Sequence, residues 1–233
     1  PTIAGLCFQT TRSMTFQTPA HAHPNFHQLV ERFHNFREEY LLREHEFFER
    51  LAHAQNPRTL VVACCDSRAD PAILMGCRPG ELFVVRSIAA LVPNADRAGD
   101  PDAVIAAVEY AVRHLEVENI IVMGHSNCGG IHGALFPDKV SGERWISRWV
   151  SLARPVVDEL IREWPDDPLP ERVRRSEEGA VLLSIENLLS YDWVRERVDA
   201  GRLALHALYY DMKARHMFVW NAIEEDFEPL TIE

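Results

Sequence analysis

The sequence predicts an α/β fold: a mostly parallel central sheet flanked by helices, with a long N-terminal helical arm. Three observations predict it. Short apolar runs recur at 59–64 (Thr-Leu-Val-Val-Ala-Cys), 82–85 and 119–123 (Asn-Ile-Ile-Val-Met), too uniform for one-sided strands and so read as strands buried on both faces. Stretches of helical spacing separate them, as crossovers between parallel strands require. Ahead of the first strand, residues 25–54 repeat apolar side chains at steps of three and four with charges between.

Taken in order, residues 1–24 read as a flexible leader. Residues 1–30 are rich in Thr and contain no carboxylate before Glu31. An acid-poor start fits an organelle import signal as well as a disordered leader ahead of Met14, but Arg12 is its one arginine, poor for an import signal. Residues 25–233 read as a single α/β domain with 25–54 as its helical arm, carried by Phe26, Leu29, Val30, Phe33, Phe36, Tyr40, Phe47, Phe48 and Leu51 as one long helix or two joined end to end. Gln55-Asn56-Pro57 breaks the arm before the first strand. Pro101 opens a helix reaching His114, and Gly124 closes the third strand. Residues 144–163 and 179–198 read as further helices, with the Pro-rich, charged stretch 164–175 as an exposed loop between them. Gly201 opens a last strand over 202–210, and 216–233 carries no assignment.

With 233 residues, 47% of them hydrophobic, the chain can bury one large core. Its formal net charge of -11 repels phosphate backbones and anionic membrane surfaces, which argues against a nucleic-acid or membrane partner. No apolar run approaches the roughly 20 residues that a spanning helix needs. Five cysteines, odd in number and sparse, argue against a secreted disulfide framework. A cytoplasmic location is expected, with organelle import as the alternative.

The chemistry lies where strands end. Cys64 closes the first strand, and His125 and Cys128 follow the third. Two thiolates and an imidazole suit zinc, and three protein ligands leave a fourth tetrahedral position open for catalysis. Gly129 and Gly130 allow the His-x-x-Cys turn to close around one ion. Alone, such a pair is more often a buried thiol and a satisfied core histidine. Its weight comes from Cys64-Cys65-Asp66-Ser67-Arg68, where Asp66 can either complete the metal shell or orient a water, while Arg68 holds it in a two-toothed ion pair.

Together, Cys64-x-Asp66-Ser67-Arg68 and Gly124-His125-Ser126-x-Cys128-Gly129-Gly130 resemble the two signatures of the β-class carbonic anhydrases. Gln55-x-Pro57, Pro79-Gly80-Glu81-Leu82-Phe83-Val84-Val85-Arg86, Gly201-Arg202-Leu203-x-Leu205-His206 and Tyr209-Tyr210-Asp211 extend the resemblance across most of the chain. It implies zinc-dependent reversible hydration of carbon dioxide to bicarbonate, with one Zn2+ per subunit on Cys64, His125 and Cys128 and a catalytic dyad of Asp66 and Arg68. Gln55 points to the plant-like branch, in which it binds substrate beside an apolar pocket of Phe83, Ile88 and Tyr110, with Gly129 lining the site. It also implies a homodimer or dimer of dimers, Gln55 reaching the neighbouring subunit's site. Val61 stands where the regulated bacterial branch has a tryptophan for an inhibitory bicarbonate site. Ser87 and Ala90 replace two asparagines that the family usually carries, and Ala207-Leu208 replaces a Gly-Trp.

The same scaffold is similar to carbonyl-sulfide and carbon-disulfide hydrolases, and a non-catalytic zinc-binding assembly protein is a further alternative. Other residues read as structural. Cys65 should alternate into the core, Cys7 and Cys77 are isolated thiols, and His21, His23, His27 and His34 are spectators. His114 complements a helix dipole, Asp70 caps a turn or helix, and Trp145 and Trp149 form a packing stripe.

Overall fold

In the computed structural model, which describes residues 24–99 and 102–231, the arm and the sheet fall into two compact units that divide between Ala54 and Gln55. The arm is two helices: α1 (Pro24–Phe36) runs into a π-helical turn at Arg37–Leu41, and α2 (His45–His53) follows. Aromatic rings join the pieces, Phe36 to Tyr40 at 5.1 Å and Tyr40 to Phe48 at 5.3 Å. The expected leader, with Cys7, Met14, His21 and His23, lies outside the described residues except for Pro24.

The second unit is built on six strands: β1 (Thr59–Cys64), β2 (Leu82–Ser87), β3 (Asn119–His125), β4 (Ala204–Asp211), β5 (His216–Asn221) and β6 (Asp226–Pro229). Their order is β2-β1-β3-β4-β5-β6. The first four are parallel, and β5 and β6 add on antiparallel. The apolar runs alternate between faces with the period of a strand. Leu60, Val62, Ile120 and Val122 share one core cluster with Val108, Ala111, Val112, Val181 and Leu188, while Val61, Ala63 and Met123 belong to another with Leu208. Both faces are therefore dry, and each such buried Val, Leu or Ile contributes about 1.5–3 kcal/mol.

The helices follow from their caps. Asp70 accepts from the N–H groups of Ala72 (3.1 Å) and Ile73 (3.2 Å), starting α3 (Pro71–Leu74) as expected of a capping aspartate. Asp102 does the same for α4 (Ala103–Arg113); the proposed opener Pro101 lies outside the described residues. The third strand runs two residues beyond its expected end at Met123, through Gly124 to His125, because Tyr209 and Tyr210 on β4 continue the ladder. Gly129 and Gly130, expected only in a turn, form the first turn of α5 (Gly129–Leu135).

Three expectations are corrected. The helix 144–163 is α6 (Arg144–Val150) and α7 (Arg154–Glu163), parted by a 3-10 turn at Ser151–Ala153 just before Pro155, which has no N–H to continue the ladder. The stretch 164–175 is mostly helix: α8 (Leu169–Leu189) starts on Pro168 and Pro170, which act as N-terminal residues rather than breakers. It ends before Ser190, and α9 (Asp192–Asp199) takes up the remainder of the predicted 179–198 helix. The strand at 204–211 is not the last. Asp211 accepts from the N–H groups of Lys213 (2.8 Å) and Ala214 (2.9 Å), and Asn221 accepts from that of Ile223 (2.9 Å); these side-chain turns fold β5 and β6 back onto the sheet.

Candidate metal centre

In open parallel sheets the ligand crevice lies beyond the carboxyl ends of the strands, and there this chain gathers its chemistry. Cys64 ends β1, His125 ends β3, and Cys128 caps the start of α5. Among the described residues these three form the one group of His, Cys and carboxylate ligands whose donor atoms all lie within 4.8 Å of one another. All three are buried.

The donors fit zinc. Cys64 Sγ and Cys128 Sγ are 4.0 Å apart, and two thiolates on one tetrahedral zinc lie about 3.8 Å apart for Zn–S bonds of about 2.3 Å. His125 Nδ1 sits 2.9 Å from the Ser126 carbonyl, which can only accept, so that nitrogen carries the proton. The bare Nε2 faces the sulfurs with no hydrogen-bond partner, an orphaned buried acceptor that a metal would satisfy. Hydrogen bonding from Cys128, aided by His125, pushes the Cys64 thiol down, and the same contact together with burial pushes Cys128 up, so the pair holds one proton between the sulfurs that a metal on both would displace.

Around this core the main chain is held tightly. Ala89 N–H donates to Cys64 Sγ at 3.3 Å. To present it, Ala89 and Ala90 adopt left-handed φ values of 61° and 54°, which strain alanine by roughly 1–2 kcal/mol each. This turn sits against Gly130, where a Cβ would come 2.6 Å from Ile88 Cγ2 and 2.9 Å from Ala89 Cβ. Only glycine lets the first turn of α5 meet this turn.

Asp66 and Arg68 form the expected dyad. Arg68 Nε donates to Asp66 Oδ1 at 2.9 Å and Nη2 to Oδ2 at 2.7 Å, with the Arg68 backbone N–H adding a third bond at 2.9 Å. The guanidinium holds the Asp66 carboxyl well below the usual carboxylate range. Asp66 Oδ2 is 3.9 Å from His125 Nε2, beside the metal position. Arg86 secures this loop from β2, donating to the carbonyls of Cys64 (2.8 Å) and Asp66 (2.6 Å) and to Asp70 Oδ2 (2.9 Å).

The expected substrate residues are not gathered in one place. Ile88 follows β2 at the metal end and is about one-third exposed, and a Cβ at Gly129 would meet nothing within 4 Å, leaving open space there. Phe83 pairs with Leu60, four residues back from the Cys64–Ser87 rung, which is roughly 13 Å along the strand. Tyr110 stacks on Phe83 at 5.8 Å, so both stand toward the amino end. Gln55 is exposed and leads into that end of β1.

Two structural expectations fail. Cys65 is exposed rather than core: β1 stops at Cys64, the Cys65 N–H makes a last bond to the Ser87 carbonyl (2.9 Å), and the chain then turns, ending strand alternation. Trp145 is 76% exposed beneath Arg144, so the two tryptophans form no stripe, although Trp149 Nε1–H donates to the Ile88 carbonyl at 2.9 Å. Sequence reasoning missed Glu177 and Tyr209. Glu177 accepts from Cys128 N–H at 2.8 Å and from Tyr209 O–H at 2.8 Å, and burial pushes its carboxyl up to about 7. The one sequence signal emerges only once the helix is drawn through Pro170: Glu177 then shares a face with Ser176, Ala180, Val181 and Ser184, all small or apolar and buried.

A family model described as carbonic anhydrase matches residues 59–217. Beta carbonic anhydrase 6, mitochondrial, of Arabidopsis thaliana is 35% identical over 195 residues, covering 83% of this chain and 67% of that protein. Among solved structures, the β-carbonic anhydrase CcaA superposes with a TM-score of 0.86 at 27% identity, covering 90% of this chain and 94% of that one. Two tetrameric β-carbonic anhydrases from Sordaria macrospora give 0.76 at 28% identity, over 86% and 98%. These similarities do not favour the carbonyl-sulfide, carbon-disulfide or non-catalytic alternatives.

Proposed function

The chain belongs to the β-class carbonic anhydrase family, and from that premise we propose that it interconverts carbon dioxide and bicarbonate at a zinc ion held by Cys64, His125 and Cys128. The observation that carries the reading is the convergence of two sulfurs and the unpartnered His125 Nε2 beside a carboxylate already fixed by arginine. When bound, zinc supplies a Lewis acid that makes a nucleophile of water near neutral pH.

The chain's own groups do the rest. Ionised Asp66 can only accept, so its Oδ2 takes a hydrogen bond from the attacking water and fixes that water's orientation. Arg68 prevents Asp66 from rotating away and keeps it charged. Ile88 and Gly129 border the space for an uncharged substrate. Gln55, Phe83 and Tyr110, standing at the other end of the sheet, serve the site of a partner subunit, where the Gln55 amide N–H stabilises charge growing on a substrate oxygen. A homodimer is then the smallest complete enzyme and a dimer of dimers its larger form, in keeping with the tetrameric Sordaria relatives. Residues 25–54 form the arm of that assembly. Sparse thiols, free of disulfides among the described residues, fit a reducing compartment, the cytoplasm by this reading, with organelle import as the alternative.

The decisive measurement is stopped-flow carbon dioxide hydration at mildly alkaline pH, with metal content determined on the same sample. Acceleration proportional to bound zinc is expected. Zinc-loaded protein that leaves the rate unchanged refutes the proposal.

A further inference from the structure

The roles above leave a buried ionisable group unused. Glu177 is 3% exposed on α8, yet neither of its partners, the Cys128 N–H and the Tyr209 O–H, is a cation. Burying a carboxylate without a counter-charge is costly, and hydrogen bonds must offset it. One of those bonds reaches the main chain of a metal ligand. The turn from Ser126 to Cys128 carries Asn127 in the left-handed region at φ 55°, and Arg68 Nη2 donates to the Asn127 carbonyl at 3.3 Å. The turn is therefore gripped from the dyad on one side and from α8 on the other.

Gly124 makes the second grip possible. A Cβ at that position would lie 2.4 Å from Val181 Cγ2, in the turn of α8 that follows Glu177, and 3.7 Å from the Glu177 carbonyl oxygen. A side chain there has to displace Val181, and with it the turn of α8 that carries Val181 and adjoins Glu177. Gly124 and Glu177 thus act as one device: the glycine admits the helix, and the helix delivers the carboxylate.

We propose that Glu177 is a positioning residue for the metal centre, fixing the Cys128 sulfur toward Cys64 and His125 through its hydrogen bond to the Cys128 main chain. This rests on the reading of Cys64, His125 and Cys128 as zinc ligands. The bond, rather than the charge, does the holding. A glutamine keeps an acceptor for the Cys128 N–H and can donate to the Tyr209 oxygen. An aspartate keeps the charge but withdraws it by one methylene.

The test uses the full chain, with zinc affinity measured by competition with a chromophoric chelator and thiolate coordination read from the near-ultraviolet charge-transfer band of the cobalt-substituted protein. Glu177→Asp is expected to weaken zinc binding about 10- to 100-fold and to alter the cobalt band, the range found when groups supporting metal ligands are removed. Glu177→Gln should stay within about threefold of the unaltered chain. Tyr209→Phe, which leaves the Cys128 bond in place, should lower thermal stability while keeping zinc affinity. Asp binding zinc as tightly as the unaltered chain, or more tightly than Gln, overturns the inference. Should Glu177→Asp not fold, Gly124→Ala takes its place with the same expected loss and the same overturning result. An unaltered chain that binds no zinc overturns the metal-centre reading and this inference together; one that binds zinc while the variants bind it equally overturns this inference alone.

Discussion

The two ends of one parallel sheet carry this chain's chemistry unequally. At the carboxyl end, Cys64, His125, Cys128, Asp66 and Arg68 are close-packed, and every polar atom except His125 Nε2 has a partner or faces solvent. At the amino end, Phe83 and Tyr110 stack on each other, roughly a strand's length from the sulfurs. The first cluster gathers within one chain, and Phe83 and Tyr110 stand apart from it. A strand has two ends, and a symmetric dimer can bring one subunit's amino end to the other's carboxyl end, which is how we propose the site is completed.

The largest expected effect breaks the carboxyl end alone. Asp66→Asn or Arg68→Ala should lower kcat/KM by about 10²–10³-fold, the range for losing one preorganised polar group at a reacting centre, with zinc content unchanged. Asparagine still accepts but also donates, so the water loses its single orientation. Either variant retaining full activity with zinc in place would remove the dyad from the mechanism.

A smaller effect tests the amino end. Gln55→Ala should reduce kcat/KM by about 10- to 100-fold, removing one donor from a site whose other parts stand. Mixing makes the comparison sharp. Equal amounts of Gln55→Ala and Asp66→Asn subunits, unfolded and reassembled together, pair at random, so half the dimers are mixed. Each mixed dimer has one site with both residues intact if Gln55 acts across the interface, restoring about a quarter of full activity. If Gln55 acts within its own chain, mixing restores nothing.

The same contrast explains what the sequence made legible. Thr59–Cys64 is legible to the residue because a strand buried on both faces is apolar nearly throughout, and the convergence of Cys64, His125 and Cys128, with Asp66 paired to Arg68, is legible because ligands and charges at strand ends are local in sequence. Glu177 was missed because its partner lies 49 residues away and the helix bearing it was hidden by Pro168 and Pro170, read as breakers. The separation of Phe83 from Ile88, five residues apart, was missed for another reason: adjacency along a strand is distance along the sheet, and residue type alone does not reveal to which end a pocket belongs. Cys65 failed because alternation holds only while a strand lasts.

The smallest effect concerns how firmly the carboxyl end is clamped. The segment after β2, which presents the Ala89 N–H to Cys64, is fastened to α8 and the residues just beyond it by four bonds: Val92 N–H to Ser184 Oγ (3.2 Å), Asn187 Nδ2–H to the Val92 carbonyl (2.8 Å), Tyr191 O–H to the Pro93 carbonyl (2.9 Å) and Ala95 N–H to Ser190 Oγ (2.9 Å). Burial pushes the Tyr191 phenol from its ordinary value near 10 up to about 12. Between those values the folded chain keeps a proton that the unfolded chain has released, so folding stability is fully present below the lower value and falls as pH rises toward the upper one, by at most about 1.4 kcal/mol per pH unit. Tyr191→Phe lacks this proton. It should cost about 1 kcal/mol at neutral pH, and its deficit should shrink as the solution is made more alkaline. Urea midpoints for both proteins from neutral pH to about 11 measure this directly. Two curves that stay parallel would mean that the phenol is not held as the structure has it, and that Ser184, Asn187 and Ser190 fasten the segment to α8 without it.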